Sequence, residues 1–188
     1  MTCVVGLEHE GRVYMAGDRA AVHRSRTGLG ATSFVWGEPK VFMRSGFLLG
    51  FCGSFRIGQL LRHEVELPAY RGTDQGLTAH LATTFARSVR KALRDDRTCM
   101  AERGTGLLIG WHGVLHRMEP NMQVTRAPEG FIAIGLGEPL ALGALHALSG
   151  LDVPPRRRLL LALAAAEHYN VVVRGPFDVL STRKRRSP

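Results

Sequence analysis

The order of apolar patterns along the chain is the strongest constraint on its fold. Two β-rich runs, 2 to 7 (TCVVGL) and 12 to 17 (RVYMAG), flank Glu8-His9-Glu10-Gly11 and predict a hairpin. A second hairpin is predicted in KVFMRSGFLLGFCGS, turning at Arg44-Ser45-Gly46. From Ser54, an N-cap candidate, the apolar positions Phe55, Ile57, Leu60, Leu61 and Val65 predict a helix that ends before Pro68. Leu77, Leu81, Phe85, Val89 and Leu93 recur every fourth residue, so a longer helix is predicted over 73–93. Strand patterns return at 106–111, 114–118 and 131–134, helical ones at 139–148 and 155–168, and strand patterns again at 170–173 and 177–180. Strands, helices, strands, helices and a strand, in that order, predict an α+β chain of two stacked sheets with helices outside each.

Length permits one such unit. The 188 residues, 45% of them hydrophobic, suit a single core, so residues 1 to 180 are read as one domain and 181 to 188 (STRKRRSP) as a basic disordered tail. The longest apolar run, Leu159 to Ala166, is far shorter than the ~20 residues a membrane helix needs, and no signal-like segment opens the chain. A soluble, unexported, cytoplasmic protein is expected. Cys3, Cys52 and Cys99 show neither disulfide-framework nor zinc spacing. His112 and His116 flank a predicted turn, which does not bring them to one metal. No metal site is expected.

The net charge of +9 allows an anionic partner. Arg156-Arg157-Arg158 and the run from Arg183 to Arg186 are the candidates for a phosphate-binding surface. Aromatic residues are not interleaved with these charges, so nucleic acid is kept as an alternative rather than as the main reading.

The first hairpin points to chemistry. Thr2 stands directly behind Met1, and a side chain this small normally lets the cell remove the initiator, leaving a free Thr amine. With a turn centred near Glu10, positions summing to about twenty lie opposite one another, which sets Thr2 across from Asp18. A terminal amine, a hydroxyl and a carboxylate then share one end of a ladder.

The blocks TCVVGLEHEGRVYMAGDR, PKVF, LLGFCGS and FIAIGLGEPLALGALHAL occur in an order that resembles the proteasome β-subunit family of N-terminal-nucleophile hydrolases. On these residues the nearest likeness is to the bacterial HslV peptidase, whose chain likewise begins with its nucleophilic Thr. The resemblance implies a four-layer αββα sandwich and a threonine peptidase that cleaves protein or peptide substrates inside homo-oligomeric rings, without a cofactor. No Walker loop occurs, so ATP-driven unfolding would come from a separate AAA+ unfoldase.

Carried over residue by residue, Thr2 falls at the nucleophile, Asp18 at the Gly-Asp carboxylate, Lys40 at the lysine before the second hairpin, and Gly53 at the oxyanion donor. By the same likeness Ala21 and Val22 lie on the strand edge that pairs with substrate, and Phe51 near the specificity pocket. A cation beside a hydroxyl and an amine lowers their pKa values, and a carboxylate beside that cation keeps it charged and oriented. The sequence departs from the family pattern at Gly135-Leu136-Gly137, where Gly-Ser-Gly is usual, and in AAEHYNVVVRGP, which lacks the late Asp and Ser-Gly-Gly elements. The stretch between Asp18 and Lys40 is also longer, with His23, Arg24 and Arg26. A catalytically inactive ring scaffold and a small-amide hydrolase therefore stand as alternatives on the same fold.

Overall fold

In the computed structural model, described for residues 2–24, 31–95 and 105–183, two antiparallel sheets face each other. The first is built from β1 (Cys3–His9), β2 (Arg12–Gly17), β10 (Phe131–Gly135) and β11 (Asp178–Ser181), in the order β10-β1-β2-β11. The second runs β5-β6-β7-β8-β9, from β5 (Val41–Arg44), β6 (Phe47–Cys52), β7 (Gly106–Trp111), β8 (Val114–Met118) and β9 (Val124–Arg126). A separate ribbon pairs β3 (Ala20–Arg24) with β4 (Ala31–Val35), two strands that the sequence patterns did not predict, as they did not predict β9.

Helices cover both outer faces. One layer holds α1 (Phe55–Gln59), which continues in a π-helical turn (Leu60–Glu64), and α2 (Asp74–His80), which passes through a second π-helical turn (Leu81–Phe85) into α3 (Ala86–Asp95). Ser54 caps α1 by accepting a hydrogen bond from the Arg56 N–H at 3.2 Å. The other layer holds α4 (Glu138–Ala147) and α5 (Pro155–Tyr169). The architecture is the expected αββα sandwich.

Three apolar clusters follow from this layering. Of the residues that recur every fourth position, Leu77, Leu81, Phe85 and Val89 are buried against Phe47, Leu49 and Ile109 of the five-stranded sheet, and Leu93 is partly buried against the same cluster. Leu159, Leu163 and Ala166 of α5 are buried with Val5, Ala16 and Ala133 of the four-stranded sheet. Val4, Val13, Met15, Leu48, Leu108 and Leu115 fill the space between the sheets. The sheets approach closely at Gly50, where an added Cβ would lie 2.6 Å from Met15 Sδ and 2.7 Å from Val4 Cγ1.

Two terminal expectations change. Asn170 to Val173 is a turn rather than a strand, because the Asn170 side-chain oxygen accepts the Val172 N–H and its Nδ2 donates to the Leu136 carbonyl. The ordered chain also reaches past residue 181: Ser181 ends β11, and buried Thr182 exchanges hydrogen bonds with Val13 at 2.9 Å. Residues 184–188 of the expected tail lie outside the described residues. No helix among the described residues is long and apolar enough to cross a membrane.

His116 makes the fold pH-sensitive. It is fully buried on β8, where Nε2 meets Thr78 Oγ1 at 2.8 Å and Nδ1 has no partner. Burial, with Arg126 nearby, pushes its pKa down to about 4. Its folded pKa lies below its unfolded one, so stability is complete above about pH 6.5 and falls as the pH drops towards 4 and below. At 1.36 kcal/mol per pKa unit the loss reaches about 3 kcal/mol. Thermal unfolding between pH 4 and 8 is expected to show this slope in the wild-type protein and a flatter one in His116→Gln. Equal slopes would contradict the assignment.

Candidate active site

The first hairpin closes on Glu10 and Gly11, both left-handed at φ 47° and 71°, which defines a two-residue loop with His9 opposite Arg12. That shifts the register by one from the sequence reading. Val4 pairs with Gly17, so positions summing to twenty-one lie opposite, and Asp18 stands across from Cys3 rather than Thr2. The Asp18 N–H donates to the Cys3 carbonyl at 3.2 Å, and the Cys3 N–H donates to Asp18 Oδ1 at 2.9 Å. The carboxylate therefore grips the backbone next to Thr2.

Lys40 completes this buried group. Its Nζ donates to Asp18 Oδ1 at 3.0 Å and to the Ala20 carbonyl at 2.5 Å, while Asp18 Oδ2 accepts the Ala20 N–H at 3.0 Å. Thr2, Asp18 and Lys40 are each no more than 1% exposed. Burial lowers the Lys40 pKa from the ordinary lysine value, and Asp18 opposes that shift by favouring the cation. Phe55 lies 5.4 Å from Nζ at its ring centroid and stacks on Trp36 at 5.0 Å. Sequence reasoning missed Phe55 and the Ala20 carbonyl as neighbours of the lysine.

Thr2 is held from its other side by the loop after β10. Gly137 donates its N–H to the Thr2 carbonyl at 3.2 Å. Gly135 pairs with Cys3 in the ladder at φ 98°, and a Cβ on it would lie 2.3 Å from the Thr2 carbonyl oxygen. Only glycine fits there. Leu136, between them, is 55% exposed.

The remaining predicted positions divide. Gly53 follows β6 at φ 98°, where an added Cβ would sit 2.9 Å from Thr105 Oγ1 and 3.2 Å from its Cα, so both conformation and space favour glycine. Ala21 and Val22 lie on β3, paired with Phe34 and Ser33 of β4. Phe51 is buried in the core under α1, with its ring against Gly58 and edge-on to Phe55. It is Phe55 that carries an aromatic face to Lys40, with Phe51 packed behind it.

Other sequence candidates do not join the site. Arg19 makes no pair with Asp18; its Nε and Nη2 clasp Asp178 of β11 at 2.7 and 2.6 Å. The Cys3 thiol packs into the helix-covered core, and burial together with Asp18 pushes its pKa up, so it stays protonated. Cys99 lies outside the described residues. His112 is exposed on its turn whereas His116 is buried against Thr78. Arg156, Arg157 and Arg158 occupy the first turn of α5, and of the second basic run only Arg183 is among the described residues.

Two facing antiparallel sheets between helix pairs are the proteasome β-subunit-like fold of the solved structures to which this chain is similar. Among solved structures with it are BPH of Thiobacillus denitrificans in complex with epoxomicin (19% identity, 98% of this chain and 100% of that chain, TM-score 0.80). Eukaryotic HslV from Trypanosoma brucei is similar as well (18% identity, 96% of this chain and 98% of that chain, TM-score 0.68). So is Anbu of Pseudomonas aeruginosa, solved as a helical assembly (17% identity, 96% of this chain and 80% of that chain, TM-score 0.65). No family model matches the sequence, and no curated protein matches it.

Proposed function

We propose that this chain is a threonine peptidase whose nucleophile is Thr2 once Met1 has been removed. The observation that carries the reading is the buried Lys40–Asp18 pair bonded to the main chain beside Thr2. A cation and a carboxylate are expensive to bury, and a chain that keeps both at the end of a strand has a use for the field they create. The Thr2 hydroxyl attacks a peptide carbonyl while the terminal amine accepts its proton, and the Lys40 charge lowers the cost of the alkoxide. The Gly53 N–H stabilises the oxyanion. Collapse of the tetrahedral adduct expels the amine fragment and leaves a Thr2 ester, which water then hydrolyses. Ala21 and Val22 offer a strand edge to the substrate backbone, and Phe51, behind Phe55, contributes to the apolar side of the site.

The chain acts in the cytoplasm as a homo-oligomeric ring or stacked rings, with a separate AAA+ unfoldase feeding protein substrates. The fold shared with HslV, and with Anbu as an assembly, supports this reading.

Hydrolysis of a panel of fluorogenic peptides is the test, run alongside light scattering. Wild type is expected to turn over at least one peptide from an assembly many times the 20.6 kDa protomer, and Thr2→Ala is expected to assemble but not cleave. A monomer that hydrolyses a small amide and no peptide would exclude the peptidase.

A further inference from the structure

The loop that holds Thr2 is itself held from the opposite sheet. Gly137 both donates to the Thr2 carbonyl and begins α4, accepting the Ala141 N–H at 3.0 Å. It packs tightly on the first strand, since a Cβ there would lie 2.7 Å from Cys3 Cβ. The next residue, Glu138, sits in the first turn of α4, where a carboxylate suits the positive end of the helix dipole.

Glu138 is met by Arg117, which comes from β8 in the five-stranded sheet. His116 on that strand reaches Thr78 of α2, so Arg117 projects to the other face, between the sheets. Its Nη1 donates to Glu138 Oε1 at 2.5 Å and to the Ala133 carbonyl of β10 at 3.4 Å. Its Nε forms an ion pair with Glu119 Oε1 at 2.6 Å. The Arg117 side chain is 23% exposed and that of Glu138 26%. An arginine drawn this far between two sheets costs desolvation, and its two carboxylates raise the guanidinium pKa in compensation.

We propose that Arg117 and Glu138 form a positioning pair for the nucleophile, fixing the Gly137 N–H, and through it the Thr2 main chain, from the far sheet. Neither residue touches the reacting atoms. The proposal rests on the reading of Thr2 as nucleophile only for its effect on rate; the effect on the loop stands apart from it. The consequence is that the 135–138 loop, which carries leucine where the resembled family carries serine, owes its position to a cross-layer ion pair.

The test measures two readouts on the full-length protein carrying Glu138→Ala, Glu138→Gln, Arg117→Ala, Arg117→Lys or the double alanine. Hydrogen exchange over 135–141 reports the loop, and the rate of covalent labelling by epoxomicin reports the nucleophile. A charge-assisted hydrogen bond of this kind corresponds to about tenfold or more, so exchange is expected to quicken and labelling to slow by about that factor in either alanine variant. The saturating labelling rate should fall while the half-saturating concentration stays unchanged. Glu138→Gln and Arg117→Lys should lie between, and the double variant should be no worse than either single one. Unchanged exchange in Glu138→Ala, or additive losses in the double variant, would overturn the pair. If the wild type is not labelled at all, the nucleophile reading fails, and the exchange arm still decides the proposal.

Discussion

Asp18→Ala is expected to destabilise the protein by about 3–5 kcal/mol, the usual consequence of leaving one member of a buried ion pair alone. Two main-chain donors, the Cys3 N–H and the Ala20 N–H, lose their acceptor at once, and the Lys40 ammonium loses its counter-charge and keeps only the Ala20 carbonyl. Burial already lowers the Lys40 pKa, and without the carboxylate that shift grows. Since the folded pKa then lies further below the unfolded one, the variant should become less stable as pH falls, and part of the loss should be recovered in alkaline buffer. Urea unfolding at two pH values measures both effects. An unfolding free energy within about 1 kcal/mol of wild type would mean that the pair is not buried as described. Thr2 reactivity should be lost with it, because the lysine no longer has a fixed charge or position.

Gly135→Ala is the second large effect. The position combines φ 98° with a Cβ that would lie 2.3 Å from the Thr2 carbonyl oxygen and 2.9 Å from its carbon, so main chain must move. Backbone strain of this kind costs about 1–3 kcal/mol. A displacement of about 1 Å in a reacting group costs on the order of a hundredfold in rate, and the group displaced here is Thr2, the proposed nucleophile. Gly143→Ala is the matched control. It lies in α4, exposed and with open space around an added Cβ, and should stabilise by about 0.5–1 kcal/mol with unchanged reactivity. Thermal unfolding and epoxyketone labelling of the two variants should therefore move in different ways; equal labelling rates would sink the assignment of Gly135.

The helices and central strands were legible because each helix carries one apolar stripe and each central strand a β-rich run, whereas the order of the layers came from the family resemblance. Leu77, Leu81, Phe85 and Val89 show their burial in their spacing alone. The ribbon β3–β4 was not legible: AAVHR and ATSFV carry no clean alternation, and the two strands pair only with each other. The hairpin was readable but its register was not, since whether a turn centres on Glu10 or between Glu10 and Gly11 depends on two backbone angles. That half-residue difference moves the partner of Asp18 from Thr2 to Cys3.

Thr2, Asp18 and Lys40, which the structure brings to one end of the first hairpin, were nameable from motif order. Their neighbours were not, because those come from distant chain segments. Asp178 reaches Arg19 across 159 positions, and Arg117 reaches Glu138 from the opposite sheet. No local pattern encodes such pairs. Val171 shows the reverse failure: NVVV reads as a strand, yet the Asn170 side chain satisfies the local backbone as a turn and leaves Val171 85% exposed.

The most direct test of the account is the intact mass of the purified wild-type protein and of Thr2→Ala, each before and after treatment with epoxomicin. The account predicts loss of Met1, one adduct per wild-type chain located on the N-terminal peptide that begins at Thr2, and none on the variant. A folded chain that has lost Met1 and takes up no adduct, or one labelled equally with and without the Thr2 hydroxyl, would contradict it.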